Sequence, residues 1–205
     1  MPVVEDSVFS KHVAFWRTKS AKGDSYVGRS GEDHLRQKKA VEDLLATRLN
    51  PSDFFEDALD FGCGYGRFDP FLSQFCGHIW AVDIVPGLAE RAMDSTPTLT
   101  GITLESPDRI PLRDRKIDLV WSCLVFQHLT DPGLFSRACS EIRRVCRAGA
   151  RILIVDNAVD RAFHVTPRGP EILARELGFR PGWQSYRITI NSRPLDHWLI
   201  DGIKA

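Results

Sequence analysis

The chain is expected to fold as an α/β domain, with a doubly wound, mostly parallel, seven-stranded sheet that closes with a C-terminal antiparallel hairpin. Three observations carry that expectation. Short apolar runs of strand length alternate along the chain with stretches whose apolar residues recur at helical spacing. One run, Ile117 to Val125, is almost unbroken in apolar residues, the pattern of a strand covered on both faces. The final two runs, Gln184 to Asn191 and Asp196 to Lys204, alternate in polarity around Ser192, Arg193 and Pro194, which reads as a hairpin.

Taken in order, residues 1–29 are mixed and poorly periodic, with Phe15, Trp16 and Tyr26 among charges, and read as an irregular N-terminal arm or lid ahead of a domain over 30–205. Ser30 has the character of an N-cap, with Asp33 three residues on, before a helix carrying Leu35, Val41, Leu44, Leu45 and Leu49. Pro51 and Ser52 end it. The strand Ala58 to Phe61 meets Gly62, Gly64 and Gly66, and Phe68, Phe71, Leu72 and Phe75 then follow at helical spacing. Further strands are expected at 78–85, 102–104, 117–125 and 151–155, with helices around 87–93, from Pro132 to about Cys146 and from Glu171 to Leu177. Gly149 and Gly178 are read as the stops of the last two helices.

At 205 residues, 43% hydrophobic and 26% charged, the chain has the length and composition of one globular domain. Its 27 basic and 27 acidic residues cancel, so no overall field favours phosphate backbones or anionic membranes, and nucleic acid is not expected as a partner. No apolar run approaches bilayer-spanning length and the N-terminus lacks a signal-peptide pattern, which implies a soluble, cytoplasmic protein. Cys63, Cys76, Cys123, Cys139 and Cys146 include no CxxC pair, which fits reduced core thiols and no zinc site.

In an open α/β sheet, ligands bind beyond the carboxyl ends of the strands, so strand-closing residues carry the functional information. The first strand closes with LDFGCGYGR, Leu59 to Arg67, whose alternate glycines allow a sharp turn and close backbone approach to a ligand. The dinucleotide fingerprint would need glycine at position 67, where this chain has Arg67, and this counts against a nicotinamide cofactor. The second strand ends in Asp83, placed for its carboxylate to accept bonds from both hydroxyls of a ribose.

LDFGCGYGR, AVDIV, IPLRDRKIDLVWSCLVFQHLTDP and RAGARILIVDN together resemble the successive motifs of the class I S-adenosylmethionine-dependent methyltransferases. The likeness covers about residues 35 to 205 and is strongest to small bacterial enzymes of this class. It implies a Rossmann-like methyltransferase fold, S-adenosylmethionine as cofactor and S-adenosylhomocysteine as product. By resemblance, Gly62, Cys63, Gly64 and Gly66 cradle the methionine part, Asp60 organises that loop and Asp83 binds the ribose. Ile84 packs on the adenine, Ser106 and Pro107 lie at its edge, and Cys123 and Leu124 flank the amino group and sulfonium. Two positions depart mildly from the family pattern, with Ser106 where an aspartate is frequent and Ile117 where a phenylalanine is usual.

Methyl transfer displaces a leaving group that is already activated, so alignment and exclusion of water supply most of the acceleration. A catalytic group is needed only when the acceptor must lose a proton, and His128, just past the fourth strand, is the candidate; its alternative is a pocket-shaping histidine. Tyr26 and Arg29 are candidates for closing over the cofactor, with Arg29 pairing with its carboxylate, or are surface residues. His164 and Arg168 fall in a loop over the expected site, Trp16, Trp121 and Phe126 are candidate pocket aromatics, and core is favoured for Trp121. No lid insertion is visible, so the acceptor pocket must come from the N-terminal arm, the segment after the fourth strand and the loop Asn157 to Pro170.

The motifs of amino-methylating DNA enzymes, cytosine C5 enzymes, metal-dependent catechol-type enzymes and protein arginine methyltransferases are missing, and no metal is expected. The expected function is therefore transfer of a methyl group to oxygen or nitrogen of a small-molecule acceptor. The rival readings are a non-catalytic S-adenosylmethionine-binding or interaction protein and, more remotely, an NAD-dependent oxidoreductase. The acceptor and the oligomeric state are not legible.

Overall fold

The computed structural model describes residues 8–20, 31–158, 166–189 and 196–205. Seven strands, β1 (Phe55–Phe61), β2 (Cys76–Asp83), β3 (Leu99–Thr103), β4 (Ile117–Cys123), β5 (Cys146–Asn157), β6 (Gln184–Thr189) and β7 (Asp196–Ile203), form a single sheet. Their spatial order is β3-β2-β1-β4-β5-β7-β6. The pairs β1 with β2, β1 with β4, β2 with β3 and β4 with β5 are parallel. The last strand, β7, lies antiparallel between β5 and β6. The strand order reverses between β1 and β4, so a crevice forms at their carboxyl ends, and every element that matters to function converges there.

The helices are α1 (Val8–Ser20), α2 (Gly31–Ala46), α3 (Asp69–Leu72), α4 (Leu88–Ala92), α5 (Pro132–Val145) and α6 (Pro170–Leu177), and residues of α2 to α6 pack in the two cores on the faces of the sheet. Strand alternation sorts β4 between the two cores: Leu119 and Trp121 pack with Val41, Leu45, Phe68 and Leu72, whereas Val120 packs with Phe135, Ala138, Ile142 and Leu177. The α5 start is set locally, because Asp131 accepts a hydrogen bond from the Leu134 N–H at 2.6 Å and Pro132 occupies the first turn. Gly178, at φ 67°, ends α6 as its position implied.

Several expectations change. Residues 8–20 form a helix, where an irregular arm was expected; its apolar residues make no single stripe, and it is secured by packing, with Trp16 set edge-on to His128 at 4.7 Å between ring centroids. The helix expected through Phe75 is one turn, because Cys76 already pairs with Phe55 in the sheet. Gly149 does not cap α5. That helix stops at Val145, and Gly149, at φ 84°, lies inside β5, whose register to β4 shifts between Ile117 and Leu119. Leu35 is 67% exposed and not part of the α2 core face. Tyr26, Arg29, Ser30, His164 and the turn at Ser192, Arg193 and Pro194 lie outside the described residues.

Candidate active site

The first wall of the crevice is backbone. After the buried residues Leu59, Asp60 and Phe61, the chain turns through Gly62, Gly64 and Gly66 at φ 76°, 58° and 76°. These values lie in the left-handed region that side chains rarely adopt. Space excludes a side chain as well, since a Cβ on Gly62 would lie 2.4 Å from a Val125 methyl and one on Gly66 2.5 Å from Ala92 Cβ. The amides of Gly62 and Cys63 donate to the Val82 carbonyl, which ties the loop to the end of β2.

Asp83 completes that wall. Its carboxylate accepts from the Gly64 N–H at 2.9 Å and the Val85 N–H at 2.8 Å, and burial pushes its carboxyl above the ordinary range against the pull of those N–H groups. Its oxygens keep acceptor capacity beyond these N–H groups, the requirement for holding a ribose hydroxyl. Ile84 is half-buried beside it.

Beneath the loop, Asp60 and Asp69 form a buried carboxyl pair. Burial and the charge of Asp69 push Asp60 well up, and burial pushes Asp69 to about 6. Asp69 was not singled out from the sequence, and Arg67 only as a departure from the dinucleotide fingerprint; its charge reaches both Asp60 and Cys123 while it donates to Gln37 Oε1 at 3.0 Å. Gln37 and His34 turn the N-terminal half of α2 towards the loop, and the Tyr65 hydroxyl lies 2.8 Å from His34 Nε2. A polar residue on the inner face of an amphipathic helix, as Gln37 is, was the available signal.

The second wall is built from side chains. Ser122 donates to the Phe61 carbonyl at 2.9 Å and joins β4 to β1. Cys123 follows, half-buried, with its thiol pushed up to about 12 by burial. Leu124 stands at φ 62°, a conformation that costs a non-glycine residue about 1–2 kcal/mol and that turns the chain sharply at the strand end. A short 3₁₀ turn, Phe126–His128, comes next, with Phe126 and Trp121 fully buried as core and His128 half-buried.

Asp156, at the end of β5, accepts from the Gln127 and Asn157 N–H groups at 3.0 and 2.8 Å, with its carboxyl raised to about 7 by burial. Arg168 donates to the Leu129 carbonyl at 2.8 Å and stacks over Phe135, so it braces the chain after the turn. Ser106 donates to Asp108. That carboxyl is raised by burial, but the Ser106 hydroxyl and Arg137 outweigh this and hold it below the ordinary range. Pro107 is buried between them.

The site is therefore a crevice, with Gly62 to Gly66 and Asp83 on one side, Cys123 to His128 on the other, and Trp16 of α1 at its rim. A cavity of about 450 Å³ lined by Ser140, Arg143, Arg144, Gly178 and Lys204 lies where α5 ends, away from these strand ends, and its Arg144 is consumed by Glu141 and Asp114. Among the described residues no group of His, Cys, Asp and Glu is placed to hold a metal ion, and no helix is long and apolar enough to cross a membrane.

Comparison with known proteins agrees with this geometry. Residues 59–154 match the family model of a methyltransferase domain. A probable tocopherol O-methyltransferase of Oryza sativa subsp. japonica is 32% identical over 146 residues, 64% of this chain and 38% of that protein. N-demethylindolmycin N-methyltransferase of Streptomyces griseus is 29% identical over 150 residues, 67% of this chain and 63% of that protein. The chain thus spans less than two thirds of either relative. The N-methyltransferase NodS of Bradyrhizobium japonicum, solved with S-adenosyl-l-homocysteine, superimposes with a TM-score of 0.75 at 16% identity, over 94% of this chain and 98% of that one, a likeness of fold.

Proposed function

We propose that the protein is a class I S-adenosylmethionine-dependent methyltransferase that moves a methyl group from S-adenosylmethionine to an oxygen or nitrogen of a small-molecule acceptor, a reading supported by the methyltransferase-domain match and by methyltransferase relatives. The observation that carries this reading is Asp83, half-exposed at the end of β2, bound to the glycine loop through Gly64 and keeping acceptor capacity for a ribose hydroxyl.

When bound, S-adenosylmethionine supplies a methyl group on a positively charged sulfur. The chain's own residues do the rest. The Gly62 to Gly66 loop and Asp83 bind and orient the cofactor, Ile84, Ser106 and Pro107 offer surface to its base, and the β4 end at Cys123 and Leu124 borders its reacting part. The five cysteines are free and their thiols are pushed up by burial, Cys63 well above the ordinary range and the others to about 12. None is a thiolate near neutrality, which favours direct transfer over a methylated-cysteine relay. His128 and Trp16 face the acceptor, and the balanced charge of the chain favours a small molecule over nucleic acid.

Calorimetric titration of the dialysed protein with S-adenosylhomocysteine, with NAD⁺ as the control ligand, tests this directly. Micromolar binding of the first and none of the second is expected. Binding of NAD⁺ alone would overturn the reading, and binding of neither would move the protein to the class of non-catalytic relatives.

A further inference from the structure

Arg67 leaves the glycine loop directly after Gly66 and reaches from one wall of the crevice towards the other. Its Nη1 donates at 3.0 Å to Oε1 of Gln37, a buried residue of α2, and its guanidinium lies 4.4 Å over the Phe68 ring. Its charge reaches the Cys123 thiol at the end of β4. All three neighbours are uncharged. Asp60 feels the same charge, but its carboxyl is turned to Asp69 beneath the loop and makes no ion pair with Arg67.

Other half-buried arginines of the chain are neutralised, Arg144 by Glu141 and Asp114 and Arg151 by Asp201 and Asp53. Among the described residues Arg67 holds no carboxylate, although taking a charge out of water is costly unless it is paired. Its donors are accessible as well. Gln37 takes one N–H of the guanidinium, and the nitrogens that remain are not sealed in protein as the Nε atoms of Arg48, Arg147 and Arg168 are. Such a planar fork suits a carboxylate, whose two oxygens it meets at once. The loop therefore carries Asp83 beside Gly64 and Arg67 directly after Gly66, an acceptor for hydroxyls and a donor for an anion.

We propose that Arg67 binds the carboxylate at the amino-acid end of S-adenosylmethionine, and that Gln37 is a positioning residue whose amide oxygen holds the guanidinium between α2 and the end of β4. The proposal rests on the methyltransferase reading, which supplies the ligand. An amide suits the position because it orients the guanidinium without neutralising it, so the charge is left for the ligand; a carboxylate at that point would consume it. The sequence suggests Arg29 for the same charge, and that residue lies outside the described residues.

The experiment is calorimetric titration of the full chain with S-adenosylhomocysteine and with its decarboxylated analogue, which keeps the adenosine, the sulfur and the amine. Wild type is expected to bind the first about 10- to 100-fold more tightly, and Arg67→Gln to lose that preference while its affinity for the analogue stays within about threefold. Gln37→Glu gives the guanidinium a carboxylate from the chain itself and should shrink the preference in the same way, an effect that a merely structural Gln37 would not produce; it also serves should Arg67→Gln fail to fold. An unchanged preference in Gln37→Glu would remove Gln37 from the proposal. Arg67→Gln protein that keeps the full preference, or that loses both ligands equally, would overturn the role of Arg67, and loss of the preference in Arg29→Gln alone would move the carboxylate to the N-terminal arm. Wild type that binds both ligands equally would overturn this proposal and leave the methyltransferase reading standing, whereas wild type that binds neither would overturn both.

Discussion

On the β1–β2 side of the crevice the chain presents backbone: three glycines at positive φ, amides tied to the Val82 carbonyl, and a carboxylate, Asp83, pinned by two N–H groups. On the β4–β5 side it presents side chains linked to one another, Asn157 to Gln127 to His128, over a carboxyl that organises the turn beneath them. The first arrangement suits a ligand that never changes, because close backbone approach leaves little to vary. The second suits a ligand that differs from protein to protein, since exchanging one amide or one imidazole alters what is recognised without disturbing the sheet.

The contrast can be broken most forcefully at Gly62. Gly62→Val puts a branched side chain at φ 76° and 2.4 Å from Val125, so a loss of roughly 3–5 kcal/mol in denaturant unfolding is expected, along with loss of S-adenosylhomocysteine binding. A variant of wild-type stability would show that the loop does not need its observed conformation. Asp83→Ala comes next. Cofactor affinity should drop by about 10- to 100-fold in titration calorimetry, in line with losing hydrogen bonds to a charged group, while an unchanged affinity would end its ribose role.

A third test separates the walls by pH. The Asp69 carboxyl sits at about 6 in the folded protein, above its ordinary 3.8, because it is buried. The folded chain therefore keeps a proton that the unfolded chain has released between these values. That contribution to stability is complete below about pH 4 and is lost as the pH rises through about 6. Asp69→Asn, which leaves Asp60 a donor in place of the shared proton, should flatten the decline by ~1–3 kcal/mol in unfolding midpoints compared across that window. An unaltered slope would assign the decline to the other raised carboxyls, Asp60, Asp83 and Asp156. The smallest effect is expected at Asp131→Ala, which removes the cap of α5 and should cost ~1 kcal/mol by thermal unfolding while leaving cofactor titration unchanged.

Legibility divides along the same line. The glycine turn, the acidic end of β2, the doubly covered strand β4 and the final hairpin could be read because each rests on local rules: where φ must be positive, where strands end, and how polarity alternates. Arg67 was visible only as the residue that spoils a dinucleotide fingerprint, although its guanidinium bridges α2 and the crevice. Asp69 carried no local signal, and only its burial lifts its carboxyl to about 6. Gly149 had the spacing of a helix cap, but pairing with neighbouring strands drew the chain into β5 three residues earlier, at Cys146.

By itself the sequence determined the α/β alternation, the place of the crevice and the backbone wall, since a glycine's conformation and a strand's apolar pattern are properties of neighbouring residues. Only the tertiary structure decided that residues 8–20 are helical, that Trp16 meets His128, and that Gln127 lies between Asn157 and His128. Those outcomes depend on contacts between segments far apart in the chain, Trp16 with His128 and Asn157 with Gln127, and no local rule of propensity or spacing encodes a partner that arrives only when the sheet has closed.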